Sequence, residues 1–133
     1  MEVWRINMTE KKISREPVPV SWEKLGGRAL SARILLDEVP PDCEPLGKKN
    51  ALYFCNGALS GTTVSSSDRV SIGGKSPLTG GIKESNAGGI VGTRMSQLGL
   101  RAISLEGATA RDAEWQIFVI GKDGVERQSG EFL

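Results

Sequence analysis

No histidine occurs in the 133 residues, which excludes imidazole-ligated zinc and both Ser-His-Asp and Cys-His nucleophilic machinery. Cysteine is nearly absent too. Cys43 and Cys55 form neither a C-x-x-C pair nor part of a spaced cluster, so they read as two reduced thiols of a cytosolic protein. Aromatic residues make up 5% of the chain, and no basic run is interleaved with them. That argues against a stacking surface for single-stranded nucleic acid. A net charge of +1 creates no broad field for nucleic acid or anionic membrane, so any anion site must be local. No apolar run approaches the ~20 residues of a membrane span, and the opening "MEVWRINMTEKK" lacks the apolar centre of a signal peptide. The expectation is a single cytoplasmic domain with no nucleic-acid or membrane partner.

Glycine is the residue in excess, with 17 in the chain where an average composition near 7% would give about half as many. The stretch "GGKSPLTGGIKESNAGGIVG", Gly73 to Gly92, holds seven of them in twenty residues. Such a density implies tight turns, close backbone packing, or a ligand that must touch main chain.

Alternation of Trp4, Ile6 and Met8 predicts a strand over Val3–Met8, and Lys12–Val18 returns as its hairpin partner until Pro17 and Pro19 end it. Ser21 is a candidate N-cap for an apolar stripe running to Val39, with the firm helix at Arg28–Asp37. "NALYFCNGALSG" gives a buried strand over Ala51–Cys55, and a short strand follows at Arg69–Ile72. A second helix is expected over Gly89–Leu98, with Gly99 at its C-terminal end. "RAISLEG" is a strand, and "EWQIFVIGKDGVERQSG" is a hairpin whose turn is "KDG", with Asp123-Gly124 as the hairpin signal. The fold class is α+β, mostly antiparallel sheet and hairpins with two helices.

"DRV" at 68–70, the glycine-rich run and "SNAGG" at 85–89 together suggest an anion site. Arg69 offers a planar fork for phosphate and Lys75 a point charge. Glycines allow close main-chain approach, and a helix starting near Gly89 would direct free N–H groups to the same region. Asn86 can donate its amide or present a carbonyl to a cation. The pattern matches neither a Walker A loop nor G-x-G-x-x-G. The competing account is that the glycines serve hairpin turns and that Arg69 and Lys75 are solvated surface charges.

"GGRALSARILLDEVPP", "NALYFCNGALSGT", "DRVSIGGKSPLTGGIKESNAGG" and "LGLRAISLEGAT" occur in the order and spacing of one family. They resemble the N-terminal domain of the tungsten-containing aldehyde:ferredoxin oxidoreductases, and "VWRINMTEKKI" is similar to that family's first hairpin. The resemblance covers nearly the whole chain, and "K-S-P-L-T-G…S-N-x-G-G" is its most specific signature. It implies strands forming a base for a tungsten (or molybdenum) bis-pterin cofactor. Arg69, Asn86 and Gly88 would contact the pterin, with Ala87 and Gly89 as backbone neighbours and Lys75 as a further contact. The main-chain carbonyl of Asn86 would help hold a Mg2+ bridging the pterin phosphates.

The same resemblance implies an enzyme oxidising aldehydes to carboxylates and passing electrons to ferredoxin. Family enzymes are several times longer and draw their [4Fe–4S] ligands and acid–base residues from later domains. Neither Cys43 nor Cys55 matches a cluster ligand, since four thiolates are normally needed, and no catalytic residue is assigned here. Where the family usually has aromatics after the paired glycines, this sequence has Ile90 and Val91, and it closes with "GVERQSGEFL" inside the expected domain. The chain is therefore expected to be a cofactor-holding part, inactive alone, whose partners are further domains or a subunit. Apolar surface meant for those partners would favour a homo-oligomer. The alternative is a freestanding, non-catalytic module that binds a pterin or a partner subunit.

Overall fold

A computed structural model of the chain describes residues 1–110 and 113–131; Phe132 and Leu133, the end of the last quoted stretch, lie outside them. Six strands form one sheet: β1 (Glu2–Asn7), β2 (Lys12–Pro17), β3 (Ala51–Asn56), β4 (Arg69–Lys75), β5 (Ile82–Gly88) and β6 (Leu100–Glu106), in the order β2-β1-β6-β3-β4-β5. Only β1 and β6 run parallel; every other pairing in that sheet is antiparallel. β7 (Gln116–Gly121) and β8 (Gly124–Ser129) make a separate hairpin. The helices are α1 (Gly27–Glu38) and α2 (Val91–Gln97), with a 3₁₀ turn at Val20–Trp22. Among the described residues no helix is long and apolar enough to cross a membrane.

The expected α+β class, the mostly antiparallel pairing and the two α-helices are all present. Ser21 lies in the 3₁₀ turn rather than at the start of α1, whose N-cap is Gly26 without a side-chain hydrogen bond. A Cβ on Gly26 would meet the Ala58 backbone nitrogen at 2.3 Å, so the close approach of the 57–60 turn fixes the helix start. In the β7–β8 hairpin Gly121 pairs with Gly124, so the two-residue turn is Lys122-Asp123, within the expected "KDG".

Period-two alternation divides the core into two layers on opposite sheet faces. Val3, Ala51, Tyr53, Cys55 and Ala102 pack beneath α1 through Leu30, Ile34 and Leu35. On the other face Trp4, Ile6, Val70, Leu100 and Ile103 pack with Met95 of α2, and Phe118 and Ile120 of the hairpin lie against them. Leu100 and Ile103 stand an odd three apart yet share a layer. A register shift permits this: Glu2 faces Leu100 while Val3 faces Ala102, leaving Arg101 as the extra residue of a bulge.

A charged hub closes the α1 side. Arg5 donates both terminal nitrogens to Glu38, at 2.6 and 2.8 Å, its Nε to Glu16 at 2.8 Å and Nη1 to Glu106 at 2.9 Å. The Tyr53 hydroxyl donates to Glu38 at 2.9 Å. One guanidinium thus joins β1, β2, β6 and the last turn of α1, with β3 attached through Tyr53. Burial and the negative charge of Glu38 push the Tyr53 phenol above its ordinary range. Burial alone raises the Cys55 thiol to about 12, which makes it a core thiol rather than a reactive one.

α1 rests on β4 at a point where neither surface carries bulk. A Cβ on Gly73 would lie 2.8 Å from Ser31 Cβ, 2.9 Å from Ser31 Oγ and 3.5 Å from a Leu35 methyl. Ser31 is fully buried there. Gly73 is therefore a packing glycine.

Two expectations follow. Gly73→Ala should lower stability by about 1–3 kcal/mol through overpacking, read as a reduced urea midpoint. Tyr53 is the single tyrosine, so alkaline absorbance titration reports it alone. Its phenol is raised in the folded state, so the associated stability is whole below pH ~10 and is lost as pH climbs toward the folded value. The native chain should show no phenolate step near pH 10, and the step should appear together with unfolding at higher pH; a step near 10 in folded protein would disprove this environment.

Candidate functional site

β5 carries the centre of the glycine-rich segment, where the sequence offered no strand pattern. Its residues are almost all exposed, and its strand geometry comes from β4, which it pairs from Arg69↔Gly88 to Lys75↔Ile82. The pairing also decides where its main-chain groups point. Ser76 N–H donates to the Gly81 carbonyl at 2.8 Å, marking a hydrogen-bonded pair, and such pairs alternate along an antiparallel ladder. Counting back, 74–83, 72–85 and 70–87 are the bonded pairs. On the opposite parity, β4 turns toward β3: the Arg69 carbonyl accepts Gly57 N–H at 3.0 Å and Lys75 N–H reaches Asn50 Oδ1 at 3.1 Å. The N–H and C=O groups of Ile82, Glu84, Asn86 and Gly88 therefore face away from β4. β5 ends the sheet, so those groups line a free edge.

The side chains behind that edge form a polar row of two hydrogen-bonded pieces, Arg69–Asn86–Ser71 and Arg28–Glu84. Arg69 Nη1 donates to Asn86 Oδ1 at 3.1 Å, and Asn86 Nδ2 donates to Ser71 Oγ at 2.9 Å. The Ser71 hydroxyl, ahead of Arg28, holds the Glu84 carboxyl below the usual carboxylate range, and Arg28 Nε reaches Glu84 at 3.1 Å. Both ends of the Asn86 amide are thereby used, so its main-chain carbonyl is the group left for a ligand. Arg69 is exposed, and among the described residues no carboxylate pairs with it. Its remaining donors open onto a shallow recess of about 550 Å³ lined by Ser66, Asp68, Arg69, Gly88, Gly89, Ile90 and Thr93.

Glycine keeps this recess bare. A Cβ on Gly88 would stand 3.8 Å from the Arg69 guanidinium carbon, covering its face. Gly89 has φ +120°, a backbone that side chains rarely adopt, with open space where its Cβ would be. Ala87 pairs with Val70 one position in from the edge. α2 begins at Val91, two residues later than its first glycine suggested.

Of the residues singled out in the sequence, Arg69, Asn86, Ala87, Gly88 and Gly89 come together. Lys75 does not join them. It stands at the far end of β4, roughly 20 Å away by strand rise, and its ammonium donates to the carbonyls of Pro41 at 2.5 Å and Cys43 at 2.6 Å. It ties down the proline-containing loop after α1. The sequence reading gave no role to Ser71, Glu84, Asp68 or Thr93, though a serine two residues after Arg69 was bound to share its face of the strand. Among the described residues no cluster of three or more Cys, Asp or Glu is placed to hold a metal ion. A cation at this edge would draw on main-chain carbonyl and on oxygens brought by its ligand.

The Glu84 link is testable by pH. Its folded value is lowered, so its contribution is present above the unfolded range near 4.5 and fades as pH falls through the folded value. Glu84→Gln should flatten the loss of stability between pH 5 and 3, measured by urea unfolding; an unchanged slope would count against the Ser71–Glu84 link.

The aldehyde ferredoxin oxidoreductase N-terminal domain family matches residues 3–132. The tungsten-containing aldehyde ferredoxin oxidoreductase of Pyrococcus furiosus is 35% identical over 121 residues, covering 90% of this chain and 19% of that protein. That of Pyrococcus abyssi is 35% identical over 108 residues, 80% of this chain and 18% of its relative. A solved structure of the active-site complex BamBC of benzoyl coenzyme A reductase, in complex with 1,5-dienoyl-CoA, superposes with a TM-score of 0.89. It is 30% identical and matches 98% of this chain and 20% of that one. The chain thus spans about a fifth of the length of the relatives it matches, and it belongs to the aldehyde ferredoxin oxidoreductase N-terminal domain family.

Proposed function

We propose that this chain is the cofactor-holding N-terminal part of an aldehyde:ferredoxin oxidoreductase-type system, supporting a tungsten (or molybdenum) bis-pterin along the free edge of β5. The observation that carries this is the parity of β5. Among the described residues, Asn86 and Gly88 turn unpaired main chain outward beside a guanidinium without a carboxylate partner. A flat anionic group fits there, since Gly88 and Gly89 place no side chain over the recess. The relatives' tungsten supports the choice of metal.

Within this reading each residue has a separate task. Arg69 supplies a charged fork to phosphate or to the pterin rim, held at one corner by Asn86. The Asn86 carbonyl would be the protein ligand for a Mg2+ that neutralises phosphate charge, consistent with the few protein ligands Mg2+ takes. Ala87 and Gly89 keep neighbouring main chain at contact distance. When bound, the metal–pterin group would supply the redox chemistry; this chain binds and orients it. Lys75 acts at a distance, by fixing the 39–50 loop.

A [4Fe–4S] cluster and the acid–base groups belong, in this reading, to further polypeptide, because Cys43 and Cys55 are buried singly. Further domains or a partner subunit would cover the exposed Leu59, Val64, Ile90 and Val91 near the recess. Ferredoxin would dock on that larger assembly, and a homo-oligomer is the alternative cover for the same surface. The chain alone is then without aldehyde-oxidising activity.

Elemental mass spectrometry of the purified chain for tungsten, molybdenum, iron and magnesium tests the holding function. Stoichiometric tungsten or molybdenum would mean that the β5 edge grips the cofactor unaided and would favour a freestanding module. A metal-free, folded chain fits a half-site that needs its partner polypeptide. In a longer family member the arginine matching Arg69, replaced by alanine, should lower tungsten and pterin content about tenfold, the effect of losing one charge-assisted contact. Unchanged content would defeat the assignment.

A further inference from the structure

Asp68 presents a difficulty for an anion site. It precedes Arg69 and lines the same recess, where a free carboxylate would repel phosphate. Its Oδ1 accepts Gly61 N–H at 2.8 Å, and the neighbouring Thr93 hydroxyl of α2, with that Gly61 N–H, holds the carboxyl below its ordinary range.

Around this contact the 57–69 loop is fastened to α2 at several points. Ser60 is buried, and its Oγ lies 3.1 Å from the Ser67 carbonyl, 3.2 Å from the Arg69 carbonyl and 3.4 Å from Arg69 N. Ser96 Oγ donates to the Ser60 carbonyl at 2.6 Å and accepts Asn56 Nδ2 at 2.7 Å. On Gly92 a Cβ would sit 3.0 Å from Ser60 Oγ and 3.2 Å from the Arg69 carbonyl, so α2 lies directly on the Arg69 main chain. Gly61 also sits on the helix, since a Cβ there would lie 2.5 Å from Ser96 Cβ, so the helix, the loop and the first residue of β4 form one unit, and Asp68 holds it through Gly61.

We infer that Asp68 is a positioning residue, which by its bond to Gly61, a glycine seated against Ser96 of α2, holds the 57–69 loop on the helix and so aims Arg69 into the recess. This rests on the anion-site reading above.

The test uses the chain itself with inorganic pyrophosphate plus Mg2+ as probe, followed by calorimetry, and hydrogen exchange of the Arg69 main-chain amide without ligand. Asp68→Ala should accelerate exchange at Arg69 about tenfold, leaving Tyr53 and Ile103 unchanged, and weaken pyrophosphate about five- to tenfold. Asp68→Asn retains the hydrogen-bonding shape and removes the charge, so its affinity should equal or exceed the native value. Thr93→Val, which removes the neighbouring hydroxyl and keeps the carboxylate, should give an intermediate loss even if Asp68→Ala fails to fold.

Equal or tighter binding by Asp68→Ala, with Arg69 exchange unchanged, would overturn the inference. An Asp68→Asn loss as large as that of Asp68→Ala would do so too. Arg69→Ala separates the two levels. If it leaves pyrophosphate affinity unchanged, the anion-site reading fails, while the ligand-free exchange data still decide whether Asp68 positions Arg69.

Discussion

Everything near the site depends on how closely α1 can lie on β4. Two surfaces without bulk, Gly73 and Ser31, meet there. That contact brings the helix low enough for Leu30, Ile34 and Leu35 to reach the strands beneath it. It also carries Arg28 to Glu84, which lies beside the Ser71–Asn86–Arg69 row of hydrogen bonds. The geometry of an exposed edge is thus set by a packing distance inside the core. Arg5 does the same at the other end of α1, where a bidentate pair with Glu38 stops the helix from sliding along the sheet.

Most of the fold was legible in the sequence because most of it obeys local rules. β1 shows its alternation, α1 its apolar stripe and the β7–β8 hairpin its turn residues. Three features were not legible, each for a physical reason. Gly26 starts α1 because of a contact with Ala58, thirty-two residues away, which no capping pattern records. The bulge at Arg101 exists only in the pairing with β1. β5 has no alternation and little β-propensity, so the ladder of β4 imposes its conformation; in isolation "IKESNAG" reads as loop.

The site divides in the same way. Arg69, Asn86 and the paired glycines could be named from residue chemistry and resemblance because their spacing survives translation into two adjacent strands. Lys75 was grouped with them by nearness in sequence, yet six residues of extended chain carry it to the opposite end of the sheet, where main-chain carbonyls take up its ammonium. The role of Asp68 is invisible beside Arg69 in the sequence, since its partner Gly61 lies seven residues upstream and packs on a helix that begins twenty-three residues downstream. The glycines themselves proved to be of two kinds. Gly73 and Gly92 admit neighbouring structure, whereas Gly88 and Gly89 leave surface uncovered.

The parity of β5 carries a consequence for how this segment can change over time. Its side chains are mostly solvent-facing, so point replacements at Lys83, Ser85 or Ala87 disturb little packing. Length is a different matter. Inserting or deleting one residue between the 76–81 turn and Gly88 would slip the register by one. Asn86 would then turn its carbonyl inward to β4 and lose Ser71 and Arg69 together. Those three positions should therefore drift freely among related chains while the strand's residue count stays fixed.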